Sequence, residues 1–377
     1  MARLFEIGMQ IAIHVLIIDD EPLILRALTK ALVRAGSHIV VTALTDADKC
    51  IEIINTQSIE IVLCGVGMSS RVTQETLICF QQHSPATIRC ILKGTSFDDL
   101  PWQADEMAHF CLAKPFTYTQ LRHVMQCTQR LLNLAIAPEL KNLLGKMKGL
   151  PVIRQQVIQI TNALLQKPVN FEVLIGLISH EPLLSSKLIQ AANSALLGFA
   201  SETTNLQQAL IRVGTSLCRA LVVNSEVQSH YQKILSNKLL ATISDHAFAR
   251  ATQAKVFAKK AHLSSQSQDI VFLLGLLSGV GSMALYVLVK ELNEGEQTLL
   301  SEELISVYIL NLWGFSEQIT QAMLLPKTLS QITDPIIAIH FLAREVVQTP
   351  EFELTEGDIQ ALENLDLVVL IQELVTI

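Results

Sequence analysis

The chain has 377 residues, half of them hydrophobic and only 17% charged, with a mean hydropathy of +0.39. This excludes a largely disordered chain and supplies enough apolar side chains for two domains of ordinary size. The formal net charge of −7 excludes an overall basic field that would hold nucleic acid or an anionic membrane.

The sequence begins MARLFEIGMQIAIHVLIIDD, and its apolar run closes at Asp19-Asp20 with no small-residue cleavage site, so it reads as a strand rather than a signal peptide. Residues 13–18 are β-rich, and Glu21–Val33 follows at helical spacing with Pro22 in the first turn. The alternation continues with strands at 38–43, 59–64, 87–92 and 110–113. Between and after them helices are predicted at 46–54, 74–82, 98–107 and 118–134. Five strands alternating with five helices predict an α/β doubly wound parallel sheet, flavodoxin-like in class.

In such sheets, functional groups lie beyond the carboxyl ends of the strands. Asp19-Asp20 follows the first strand, Gly65 the third, Thr95 the fourth and Lys114-Pro115 the fifth. Adjacent carboxylates suit Mg²⁺, and a hydroxyl and an ammonium opposite them suit a phosphoryl group. The same acidic pair also serves simply to open a helix with favourable dipole placement.

The blocks VLIIDDEPLILRAL, IEIVLCGVGMSS, ILKGTSFDD and CLAKPFTYTQL resemble the CheY-like receiver domain of response regulators over about residues 13–130. The resemblance implies that Asp19 and Asp20 bind Mg²⁺, that Thr95 and Lys114 contact phosphate, and that Lys114-Pro115 is cis. The phosphoacceptor Asp of the family falls at Gly65, which has no nucleophile, and the switch aromatic falls at Cys111. The domain reads as a pseudo-receiver, with Mg²⁺ bound weakly if at all and no other cofactor.

Residues 131–149 carry Pro138, Gly145 and Gly149 and read as a partly helical linker. Beyond them helical periodicity dominates. Helices are expected at 152–165, 170–180, 183–192, 206–213, 215–224, 235–261, 270–290, 302–312, 316–323 and 335–347, followed by an acidic helical tail over 346–377 that packs on the same domain. Ile270–Val289 has 20 residues without a charge, enough to span a bilayer, but its glycines and serines and the lack of a flanking basic cluster favour a buried helix.

ISHEPLLSSKLIQAANSALLGFA and LQQALIRVGTSLCRALVV are similar to the all-helical HDOD family, over about 150–345. Its most specific block contains Asn193 and Ser194, residue types equally suited to helix-end hydrogen bonds. The family is related to HD metal-dependent phosphohydrolases, so the resemblance directs attention to His246 for the first metal ligand. Ser278 and Gly279 then stand for the His-Asp pair and Arg344 for the later Asp. One surviving His does not make a catalytic divalent-ion site.

The seven cysteines form no CxxC pair and fit reduced, buried thiols in the cytosol. The reading is a non-enzymatic cytoplasmic signalling regulator acting through protein–protein contact with a kinase, a second-messenger enzyme, another regulator or a second copy of itself, without nucleic acid or membrane. Three alternatives stay open: a phosphorylation- or Mg²⁺-responsive regulator, a residual phosphohydrolase acting on nucleotides or cyclic dinucleotides, and ligand sensing by the helical domain.

Overall fold

The computed structural model describes residues 12–65, 70–93, 107–134, 136–146, 155–193, 201–349 and 351–375. The chain divides into two compact units, Met1–Gln155 with Asn311–Gly314, and Gln156–Leu310 with Phe315–Ile377.

Unit 1 is built on five parallel strands: β1 (Ile13–Ile18), β2 (Ile39–Leu44), β3 (Ile61–Gly65), β4 (Ile88–Lys93) and β5 (Phe110–Ala113). Their order is β2-β1-β3-β4-β5. The register pairs Ile18 with Cys64 and Gly65 with Leu92, which brings the ends of β1, β3 and β4 side by side. Central strands covered on both faces read as continuous apolar runs, and β3 is buried at every position.

The helices of this unit are α1 (Pro22–Ala35), α2 (Cys50–Thr56), α3 (Ser70–His83), α4 (Tyr118–Asn133) and α5 (Pro138–Lys146). Leu25, Leu28 and Leu32 form the buried stripe of α1. A capping box closes the start of α4: Thr117 Oγ1 accepts from Gln120 N, and Gln120 Oε1 accepts from Thr117 N. Two readings change. The helix expected from Asp46 begins only at Cys50, because the Asp48 amide bonds the Asp46 carboxylate at 3.1 Å and sets a turn first. The expected linker is partly fastened to unit 1: the buried Arg89 guanidinium donates to the carbonyls of Met107, Pro85, Thr87 and Gly145, the last on α5. The helix expected at 98–107 lies almost wholly outside the described residues.

Among the described residues, the regular elements of unit 2 are all helical. It contains α6 (Gln155–Leu165), α7 (Phe171–Ser179), α8 (Pro182–Ala192), α9 (Leu206–Tyr231), α10 (Asn237–Lys260), α11 (Ser265–Leu288), α12 (Glu294–Gln297), α13 (Glu302–Leu312), α14 (Glu317–Ala322), α15 (Pro335–Gln348), α16 (Glu356–Asn364) and α17 (Val368–Val375). The break expected between 213 and 215 is real: Gly214 has φ 75° and ψ 165°, while the helix on both sides continues.

α11 starts five residues before its apolar stretch, since Ser264 Oγ accepts from Ser267 N and caps a polar first turn. It is the one helix among the described residues long and apolar enough to cross a membrane, and it is buried inside this unit over most of its length. A β-carbon on Gly275 would come within 2.5 Å of the Ala251 backbone, so glycine is what lets α10 and α11 lie backbone to backbone. The acidic tail joins this core: Ala361, Leu362, Leu367 and Leu370 cluster with Phe257, Val271 and Leu342.

Candidate functional site

In unit 1, the residues that follow the strands converge. Asp19 is fully buried, and its Oδ2 lies 2.7 Å from Lys114 Nζ while Oδ1 accepts from the Glu21 amide at 3.0 Å. Lys114 Nζ also lies 3.9 Å from the exposed Glu21 carboxylate, and Asp20 is exposed. The Lys114–Pro115 peptide is cis.

Gly65 closes β3 beside this pair. A β-carbon there would fall 2.0 Å from Asp19 Oδ2 and 2.6 Å from Asp19 Cγ. The Asp19 carboxylate thus occupies the space that any side chain at position 65 needs. A divalent cation would find one buried carboxylate already holding an ammonium, one exposed carboxylate and no third ligand at Gly65, so the residues present do not fit a Mg²⁺ site. The neighbouring Cys64 thiol is pushed up to about 12, first by burial, which removes it as a nucleophile near neutral pH. Cys111 is half-buried on β5, whereas Phe110 is fully buried in the core. Thr95 lies outside the described residues.

In unit 2, the structure places a charged cluster around Ser278. Arg250 of α10 donates from Nη1 to Ser278 Oγ at 3.3 Å and lies 3.7 Å from Glu302 Oε2. Ser282 Oγ donates to the same Glu302 oxygen at 2.7 Å. Arg344 Nη1 donates to Glu303 Oε1 at 2.9 Å and its Nε to Glu345 at 2.8 Å. Glu302 and Glu303 lie in the first turn of α13, where the helix dipole favours acids. His340 is buried against the two arginines, and its pKa is lowered to about 3 by burial first and then by Arg344 and Arg250. The void between these groups is only about 10 Å³, space for a single water.

Ser278 and Arg344 are therefore brought together, while His246 is not. It is exposed on α10, and Arg250, one turn further on, is the residue that reaches Ser278. Gly279 is buried and faces Ala247, whose Cβ would lie 3.0 Å from a β-carbon at 279. Each glutamate facing Arg250 and Arg344 is engaged by a guanidinium. Among the described residues no group of three or more His, Cys, Asp or Glu side chains is arranged to hold a metal ion.

Sequence reasoning missed Arg250, Glu302 and Glu303. The signals were present as an arginine four residues after His246 and a Glu pair directly after the helix-opening Ser301, whose hydroxyl accepts from Leu304 N. Asn193 spans ten residues to bond Thr203 twice, its Nδ2 donating to Thr203 O at 2.9 Å and its Oδ1 accepting from Thr203 N at 2.8 Å. Ser194 lies outside the described residues.

Residues 15–126 match the response regulator receiver domain, and residues 150–327 match the HDOD domain. No curated protein matches the chain. The solved structures similar to this chain include the following three. One is from Shewanella amazonensis SB2B and is provisionally described as a metal-dependent phosphohydrolase (14% identity, TM-score 0.44, 66% of this chain and 89% of that one). Another is an HDOD domain protein of unknown function from Geobacter sulfurreducens (15%, 0.41, 68% and 94%). The third is a response regulator receiver domain protein from Clostridium thermocellum (24%, 0.30, 33% and 99%).

Proposed function

For a chain that carries a response-regulator receiver domain followed by an HDOD domain, we propose a signal-transduction regulator that works without chemistry of its own. Its receiver domain takes no phosphate at the usual place, and its helical domain hydrolyses nothing. It acts in the cytoplasm by contact with other signalling proteins or with a second copy of itself, and no tightly held Mg²⁺ is required.

The observation that carries this reading is the filled space at Gly65. Asp19 and Lys114 are paired across the position where the receiver family keeps its acceptor carboxylate. A phosphoryl group there would need a nucleophile, a metal and a free ammonium, and all three requirements fail at the same spot. The Arg250–Glu302 and Arg344–Glu303 pairs support the second half of the reading, since guanidinium groups stand beside Ser278 where catalytic relatives need metal ligands.

Intact mass after incubation with acetyl phosphate and Mg²⁺ tests the reading, beside a Gly65→Asp variant, which puts a carboxylate at this position only by moving the Asp19 side chain aside. The natural chain should gain no phosphate. Stoichiometric modification of the natural chain, or one equivalent of Fe, Mn, Zn or Ni in the purified protein, would overturn it.

A further inference from the structure

The larger opening in unit 2 is a cavity of about 700 Å³, bounded by the end of α6, the middle of α9, α10, the first half of α11 and the start of α14. Its size lies within the roughly 300–1,000 Å³ typical of small-molecule sites. It is about seventy times the void beside Ser278, so it has room for an organic molecule where that void holds a water.

The charge of its wall differs from that of the chain. Arg212, Arg219 and Lys255 line it against a single acid, Asp269, in a protein whose net charge is −7. Lys255 pairs with Asp269 at 3.4 Å, and Arg212 is held by the Ser201 carbonyl at 2.7 Å and its hydroxyl at 3.3 Å. Arg219 is buried and stacks its guanidinium on the Phe315 ring at 4.1 Å. Stacking fixes the plane of the fork, so the cavity wall contains a positioned cation rather than a mobile one.

The interruption of α9 adds donors to the same wall. Because Gly214 leaves helical geometry, a new helix begins at Thr215, and its first amides lack partners within that helix. Thr215, Ser216 and Leu217 all line the cavity, and a β-carbon on Gly214 would meet nothing within 4 Å. The same cavity is also lined by the apolar side chains of Leu164, Phe272, Leu273 and Ile319, with Lys255 Nζ over the Phe272 ring at 5.7 Å.

We infer that this cavity binds a small organic anion, a phosphate or equivalent group carried on an apolar or aromatic body. The anionic group is received by the helix start at Thr215–Leu217 and the surrounding cations, and the body packs on the apolar side chains that line the same cavity. This gives the helical domain a chemical input of its own. The inference stands on the cavity and does not depend on how the receiver domain behaves.

The test uses the full-length chain and 8-anilinonaphthalene-1-sulfonate, an aromatic anion that fluoresces when shielded from water. It should bind saturably at one site per chain. Ser216→Glu places a carboxylate in the first turn of the new helix, where acids favour folding, at an exposed position. It should therefore leave the melting temperature unchanged or raised while weakening the probe at least tenfold. Adenosine 5′-monophosphate should displace the probe, and adenosine should not. Unaltered binding in Ser216→Glu, absence of saturable binding, or failure of adenosine 5′-monophosphate to compete overturns the inference. Displacement by inorganic phosphate as effective as by the nucleotide overturns the organic body, leaving a bare anion site.

Discussion

Lys114 reaches Asp19 at 2.7 Å across 95 positions of sequence, and the carboxylate it holds fills the space in front of Gly65. The pair and the glycine are therefore one packing unit. Gly65→Ala should cost about 1–3 kcal/mol, the usual penalty for overpacking a filled site. In an Asp19→Ala background the same substitution should cost less than about 0.5 kcal/mol, because the clashing oxygen is gone. Urea unfolding of the two single variants and the double variant measures the coupling, and additive effects would break the link.

Arg250 has a side-chain exposure of 7% and faces Glu302 and Ser278. Removing one member of a buried pair leaves the other charge uncompensated, at a cost of about 3–5 kcal/mol. Glu302 is 31% exposed and regains some water, so Arg250→Ala should fall near the low end, at about 3 kcal/mol. Arg250→Met combined with Glu302→Gln should recover part of the loss, read from chemical unfolding followed by helical circular dichroism.

His340 supplies a pH dependence with a defined sign. Its folded pKa is about 3, against an ordinary value of 6.5. Below pH 6.5 the unfolded chain takes up a proton that the folded one refuses. The contribution is fully present above 6.5 and is lost progressively as pH falls toward 3, by up to about 1.4 kcal/mol per unit. The buried His109 of unit 1, lowered by burial and by Arg89, acts in the same direction. His340→Leu should flatten the decline in unfolding midpoint between pH 7 and 5, and an unchanged slope would contradict this account.

Thiol reactivity should divide the seven cysteines. Cys79 and Cys111 are part-exposed, while Cys50, Cys64, Cys90, Cys127 and Cys218 are buried. Burial raises Cys50, Cys64 and Cys218 to about 12, so they carry almost no thiolate near neutrality. With a thiol reagent on the native protein, at most two groups should react quickly, and all seven after denaturation.

Much of the fold was legible in the sequence because its signals are local. Phe110–Ala113 and Glu302–Leu312 coincide with the predicted spans, and the gap between the helices expected at 206–213 and 215–224 falls at the non-helical Gly214 of α9. What was not legible depends on phase and distance. His246 drew attention on α10, yet it faces solvent, and only the three-dimensional helix face shows that Arg250 points inward. Arg344 was visible as a cation in place of an acid, but its partner Glu303 is 41 residues away. At the strand ends of unit 1 the glycine at position 65 was plain in the sequence, while the occupation of the space in front of it by Asp19 requires coordinates.

The membrane-length apolar stretch of α11 has a consequence for anyone dividing this protein into pieces. Its greasy surface is hidden by α10 and α15 and, through the same core, by the tail helices α16 and α17, which lie past the residues matching the HDOD domain. A fragment cut at residue 327 would uncover Val271 and its neighbours along a helix that water does not tolerate bare. Such a fragment should enter detergent or aggregate, and its behaviour would imitate that of a membrane protein. A faithful dissection therefore has to carry the chain through to α17.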